Sequence, residues 1–150
     1  MLFDLDITDG EWFPFIRSRY DEPTDQVVWG EPEPDARVKI RDPQPFFEDR
    51  LKKRKKVVEQ VLNPVTRAME RQSHYQDPST DELIQENLEA QDYSIMEFDG
   101  FIDRSGKIIE CTKENKSKMM KDPTFERFYR RCLKEIKNAN ALQTEAADLN

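Results

Sequence analysis

The apolar period changes twice between residues 93 and 136, and any fold for this chain must accommodate both changes. Before residue 98 the apolar residues Leu83, Ile84, Leu88, Tyr93, Ile95 and Met96 fall at helical spacing. Residues 98–111 read as a turn and extended apolar positions, and they hold Gly100 and Gly106, two of the four glycines. After Thr112 the helical period returns and runs to about Ile136. A chain that switches period in this way mixes helix and sheet. The expected class is α+β: a small β element or hairpins packed with about four helices, and a mainly helical C-terminal half. Gly100 and Gly106 are expected to serve as structural turn residues.

The helix starts are marked. Ser79 and Glu82 form a capping box, in which the hydroxyl takes an orphan amide and the carboxylate reaches back. The helix that follows is expected to run to about Met96. Thr112 is the N-cap of a short helix with Glu114 in its first turn. Asp122 caps the last helix and Pro123 takes its first position, where a missing amide costs nothing. In that helix Phe125, Phe128, Tyr129, Cys132, Leu133 and Ile136 share one face, with Arg127, Arg130, Arg131, Lys134 and Lys137 on the rest. The stripe reads as core. Phe125, Phe128, Tyr129 and Leu133 are also candidates for partner binding or for assembly of a homo-oligomer. Residues 138–150 are small and polar and are expected to form a disordered tail.

Residues 1–35 read as an acidic, aromatic arm, and 36–137 as a single α+β domain. In the arm, Phe3, Leu5 and Ile7 alternate with Asp4 and Asp6 as in a half-buried strand. Trp12, Phe13, Phe15 and Trp29 either cap a small core or form a sticky patch, and the packing reading is preferred. Val27 and Val28 begin a short strand that Gly30 should stop. Pro32 and Pro34 then forbid helix and suggest an extended connector. Val38 and Ile40 alternate with Arg37, Lys39 and Arg41, which gives a strand with one basic face. Residues 57–75 fit either a hairpin around Asn63 and Pro64 or a helix end, and the hairpin is preferred.

Lys52, Lys53, Arg54, Lys55 and Lys56 make the densest charge run. Such a run is a solvated face, a partner for the chain's own acidic segments, a dock for an acidic protein, or a phosphate-backbone contact. The net charge is −7 and is distributed in blocks. Residues 1–36 hold 2 basic and 10 acidic side chains, residues 37–71 hold 11 and 5, residues 72–110 hold 2 and 10, and residues 111–150 hold 9 and 6. Alternating blocks favour attraction within or between chains over nucleic-acid binding, which wants an overall basic domain.

Little in the chain could assemble a catalytic site. His74 is the one histidine, and Cys111 and Cys132 sit in unrelated contexts. There is no glycine-rich phosphate loop, no clustered metal-ligand motif and no nucleophile motif, so neither an enzyme nor a cofactor is expected. Met1, Leu2 and Phe3 lead directly to Asp4 without the basic and apolar regions of a signal peptide. No apolar stretch approaches ~18 residues, so no membrane span is expected.

The order of features from Glu97 onward resembles the tail assembly chaperones of long, flexible-tailed bacteriophages. Those proteins carry an aromatic- and acid-rich segment with a glycine, seen here as Glu97, Phe98, Asp99, Gly100 and Phe101. An acidic-glycine turn follows, from Asp103 to Gly106, and then an extended piece. Thr112, Glu114 and Asn115 match a helix start, Pro123 the next break, and Phe125 to Ile136 the final amphipathic helix. The basic strand at 37–41 also has a counterpart, so the resemblance covers about residues 36–137. Position 98 is Phe where the family often has Trp, and neither the first 35 residues nor the Asn63 and Pro64 insertion has a matched counterpart.

The resemblance implies a non-enzymatic chaperone that binds the tape measure protein and helps recruit tail-tube subunits. It would act in the host cytoplasm and be absent from the mature virion. The competing class is a nucleic-acid-binding phage accessory protein using residues 52–56.

Overall fold

A computed structural model describes residues 9–148 of the chain. These residues divide into two units, one holding those up to Pro43 with those from Gln91 onward and the other spanning 44–90. The strand expected at Phe3, Leu5 and Ile7 lies outside the described residues.

The first unit is built on a three-stranded antiparallel sheet in the order β1-β2-β5. The strands are β1 (Glu11–Asp21), β2 (Gln26–Ile40) and β5 (Ile95–Asp99). Residues 11–35 are therefore no separate arm. Phe13 and Phe15 are buried because they alternate on the inner face of β1, with Val38 and Ile40 on the inner face of β2. The expected stop at Gly30 and connector at Pro32 and Pro34 are likewise overturned, since β2 runs straight through them. Proline is tolerated there because β2 pairs with β5 only from Arg37 to Ile40, and Pro32 meets Ile16 beside register shifts in β1.

Two helices complete the unit, α3 (Lys113–Met120) and α4 (Pro123–Asp148). Thr112 caps α3, its Oγ1 accepting from Asn115 N at 3.2 Å. Asp122 caps α4, its carboxylate accepting from Thr124 N at 2.9 Å, and Pro123 occupies the first helical position. The tail expected from residue 138 is instead a continuation of α4 to Asp148. Ala139, Ala141, Leu142, Gln143, Ala146 and Ala147 are good helix formers, and no proline or glycine interrupts them.

The core of this unit is an aromatic cluster. Phe15 lies 5.0 Å from Phe128 and 5.3 Å from Phe101, both edge to face. Phe98 and Phe125 stand 6.1 Å apart at 85°. Such arrangements place the positive ring edge against the negative face. Gly100, with φ +86°, turns the chain from β5 toward Phe101. Gly106, with φ +84°, closes the next turn, where Asp103 Oδ1 accepts from Ser105 N at 2.8 Å and Lys107 N at 3.0 Å. Residues 107–111 form no named strand; they contribute a single bridge between Ile102 and Ile108.

A polar knot ties the sheet to the start of β5. Ser94 is fully buried, its Oγ donates to Arg41 O at 2.7 Å, and its carbonyl accepts Arg41 N at 2.9 Å. The Arg41 guanidinium stacks 3.6 Å over the Tyr93 ring. Ile95 pairs with Ile40, so the helix expected to reach Met96 ends at Ser94 and the chain enters β5.

The second unit holds α1 (Gln44–Lys53), the hairpin of β3 (Lys56–Leu62) and β4 (Met69–Tyr75), and most of α2 (Thr80–Ser94). The described residues thus form two small antiparallel sheets with four helices, an α+β fold with a helical C-terminal half. The single domain expected over 36–137 is not what forms. The chain leaves the first unit after Pro43 and rejoins it at Gln91, so residues 44–90 pack mainly among themselves.

Candidate functional site

The basic run lies where α1 gives way to β3. Arg50, Lys52 and Lys53 fill the last turn of α1, where positive charge complements the carbonyl end of the helix dipole. Arg54 turns toward α2. Its Nη2 donates to both carboxylate oxygens of Glu86, at 3.0 and 3.1 Å. Its Nε is buried without a hydrogen-bond partner. Arg50 pairs with Glu89, one turn along α2 from Glu86.

A cavity of about 460 Å³ opens here, lined among others by Lys53, Arg54, Lys55, Glu82, Gln85 and Glu86. Its walls carry both signs of charge. The run is thus partly answered by the acidic face of α2, one of the readings open from the sequence. Ser79 starts that helix as expected, its Oγ accepting from Glu82 N at 3.2 Å.

Lys52, Lys53, Lys55 and Lys56 remain exposed. Lys53 pairs with Asp49 at 2.9 Å within α1. That hydrogen bond, followed by the charge of Lys53, lowers the Asp49 carboxyl below its usual range. Lys56 Nζ lies 5.6 Å from the Tyr75 ring centre.

The β3–β4 hairpin presents what the sequence reading missed. Its register runs unbroken from Lys56 opposite Tyr75 to Leu62 opposite Met69. Opposed residues share a face, so Val58, Leu62 and Met69 lie together, with Lys56, Arg71 and Tyr75 beside them. Val58, Leu62 and Met69 are 54%, 56% and 59% exposed, and Val65 at the tip is 88% exposed. The turn is held by Asn63 Oδ1, which accepts from Val65 N at 2.9 Å and Thr66 N at 3.2 Å. A signal was present: β3 is apolar at both parities, while β4 offers only Met69 and Tyr75 to meet it.

The other proposed binding residues are elsewhere. Phe125, Phe128 and Tyr129 are buried in the core of the first unit at 3%, 1% and 6% exposure, and Leu133 packs against them. Phe125, Phe128 and Tyr129 therefore present no exposed surface here, because β1 and β5 supply the apolar face on which the stripe packs. Burial pushes the Tyr129 hydroxyl and the Cys132 thiol each up to about 12.

No protein-family model, curated protein or solved structure matches the chain. Among the described residues no helix is long and apolar enough to cross a membrane. Within those same residues, no three His, Cys, Asp or Glu side chains gather to hold a metal ion.

Proposed function

We propose that this chain is a non-enzymatic tail assembly chaperone of a long, flexible-tailed phage. It binds the tape measure protein in the host cytoplasm, assists recruitment of tail-tube subunits and is absent from the mature virion. The observation that carries the reading is the β3–β4 hairpin, where Val58, Leu62, Val65 and Met69 stay exposed beside the lysines of residues 52–56. A holdase for a long apolar helix needs such a surface, and grooves with apolar anchors and a charged rim suit amphipathic helices. The order of features from Glu97 to Ile136 supports the same family.

The nucleic-acid reading draws on the four exposed lysines. It is weakened by Arg50 and Arg54, which are matched by Glu89 and Glu86.

Co-expression with a tape-measure fragment, followed by affinity capture, tests the proposal. A soluble complex, with more fragment in solution than without the chain, is the expected result. No complex and no gain in solubility would sink it. If instead duplex or single-stranded nucleic acid binds with a steep salt dependence, the second reading takes its place.

A further inference from the structure

We propose that two copies of this chain pair through the outer edge of β4, antiparallel and in register about Gln72, to make one four-stranded sheet. The inference stands on the hairpin alone and does not require the chaperone reading.

The β3–β4 sheet has only two strands among the described residues. A two-stranded ribbon is marginal by itself; a third strand or a packed face is what stabilises it. Every β4 residue from Met69 to His74 is exposed, so the edge is accessible. Edge strands are normally blunted by proline, bulges or inward charge. β1, an edge of the other sheet, shows the first two: it contains Pro14 and two register shifts. β4 contains no proline, and its seven pairs with β3 run without a shift.

The side chains choose between the two free edges of the hairpin. Pairing β3 with its own copy at full overlap sets Glu59 opposite Glu59, and like charges directly opposite destabilise a sheet. Pairing β4 at full overlap sets Gln72 opposite Gln72, Arg71 opposite Ser73, Glu70 opposite His74 and Met69 opposite Tyr75. No like charges stand directly opposite, an amide pair lies at the two-fold axis, and a methionine–aromatic pair closes each end. Opposed residues share a face, so Val58, Leu62 and Met69 from both copies would lie on one side of the sheet. The exposed apolar surface of one hairpin becomes a surface twice as wide.

Ser73 provides a test with two opposite outcomes. Within one chain Ser73 is opposite Val58, so a charge there meets no charge across the hairpin. Across the two-fold axis it meets Arg71 twice. The mass of the purified full chain is followed through a concentration series by light scattering or sedimentation. The expected result is a shift from 17.8 kDa to twice that mass as concentration rises. Ser73→Arg should lose the doubled species and Ser73→Glu should show it at lower concentration, both with unchanged circular dichroism. In a second measurement, Gln72→Cys should cross-link to a dimer under mild oxidation, while Glu59→Cys on the opposite edge should not. A mass of 17.8 kDa at every concentration overturns the proposal. So does a dimer that both Ser73 variants leave unchanged, or one that Glu59→Cys traps and Gln72→Cys does not.

Discussion

Gly100 lies against the backbone of Asp35 so closely that a Cβ at position 100 would stand 1.6 Å from the Asp35 carbonyl oxygen. The site is next to the Arg37–Asp99 pairing of β2 with β5, where Arg37 and Asp99 also form an ion pair at 3.0 Å. Any side chain must push the two strands apart.

Gly100 and Gly106 share nearly the same positive φ, yet nothing lies within 4 Å of a Cβ at Gly106. Gly106→Ala should therefore cost only the left-handed strain of an L residue, roughly 1–2 kcal/mol. Gly100→Ala adds a backbone collision to that strain and should cost clearly more. Denaturant midpoints of the two variants check the order. Equal losses would mean that the Asp35 contact relaxes freely.

Phe128 is 1% exposed and faces Phe15 and Phe125. Phe128→Ala should cost about 3–5 kcal/mol, the range for emptying a buried aromatic site. Leu142 is on the same helix but 66% exposed. Leu142→Ala should stay within about 0.5 kcal/mol. Chemical denaturation of both variants would locate the working part of α4, and a large loss at Leu142 would show that the stripe continues beyond the aromatic cluster.

Part of this was legible before the structure. Val38 and Ile40 alternate with basic residues, and they became inner-face positions of β2. The caps at Ser79, Thr112 and Asp122 are local devices, so spacing alone revealed them. Other features depend on distant partners. Pro32 and Pro34 read as strand breakers because the sequence does not show that this part of β2 pairs on one side only. Ile95 and Met96 fit the helical period, and only pairing with Ile40 makes Ile95 a strand residue. The exit of the chain from the first unit is marked by Pro43 and Pro45, but its return at Gln91, inside a helix, leaves no composition mark. At the candidate site the basic run was visible, but the pairing of Arg54 with Glu86, and of the neighbouring Arg50 with Glu89, required the fold. The bare face of the hairpin was hidden because apolar residues at both parities of β3 look like core.

Tyr129 and Cys132 carry a pH dependence. Burial raises the Tyr129 hydroxyl from 10.0 and the Cys132 thiol from 9.0, each to about 12. Both groups are neutral when protonated, so the unfolded chain releases these protons at lower pH than the folded one. Their contribution is complete below about pH 9 and is lost as pH rises toward 12. Denaturant midpoints measured from neutral to alkaline pH should fall across that window. Tyr129→Phe should flatten the fall. In thiol labelling at neutral pH, Cys111 should react first and Cys132 only on unfolding. Rapid labelling of Cys132 in the folded chain would contradict its burial.

Glu86 holds Arg54 in a partly buried bidentate pair, with the side chains 27% and 15% exposed. Glu86→Gln removes the charge and leaves a guanidinium whose Nε already has no partner. The expected loss is about 1.5–3 kcal/mol, the range for a hydrogen bond to a charged group. The surface pair of Lys118 with Glu114, 66% and 76% exposed, should be worth about 0.3–0.5 kcal/mol in the same experiment. Double-mutant cycles on the two pairs separate coupling from incidental effects. A coupling at Arg54–Glu86 no larger than at the surface pair would reduce the basic run to a solvated face.

The proposed client surface predicts a variant that folds and does not capture. Val58 and Leu62 lie on β3, the strand away from the β4 edge, and both are more than half exposed. Replacing both with lysine buries no new charge, so the cost to folding should stay within about 1 kcal/mol. Binding depends on the same two side chains for apolar contact, and hot spots lose most of their energy when truncated or charged. Capture of a tape-measure fragment should therefore fall at least tenfold while the melting curve stays close to that of the parent chain. Neutralising Lys52, Lys53, Lys55 and Lys56 should have a smaller effect that fades as salt is raised, because exposed charges are screened. If the lysine replacements leave capture intact and the neutralised run abolishes it, the hairpin face is not the client site and the basic run is.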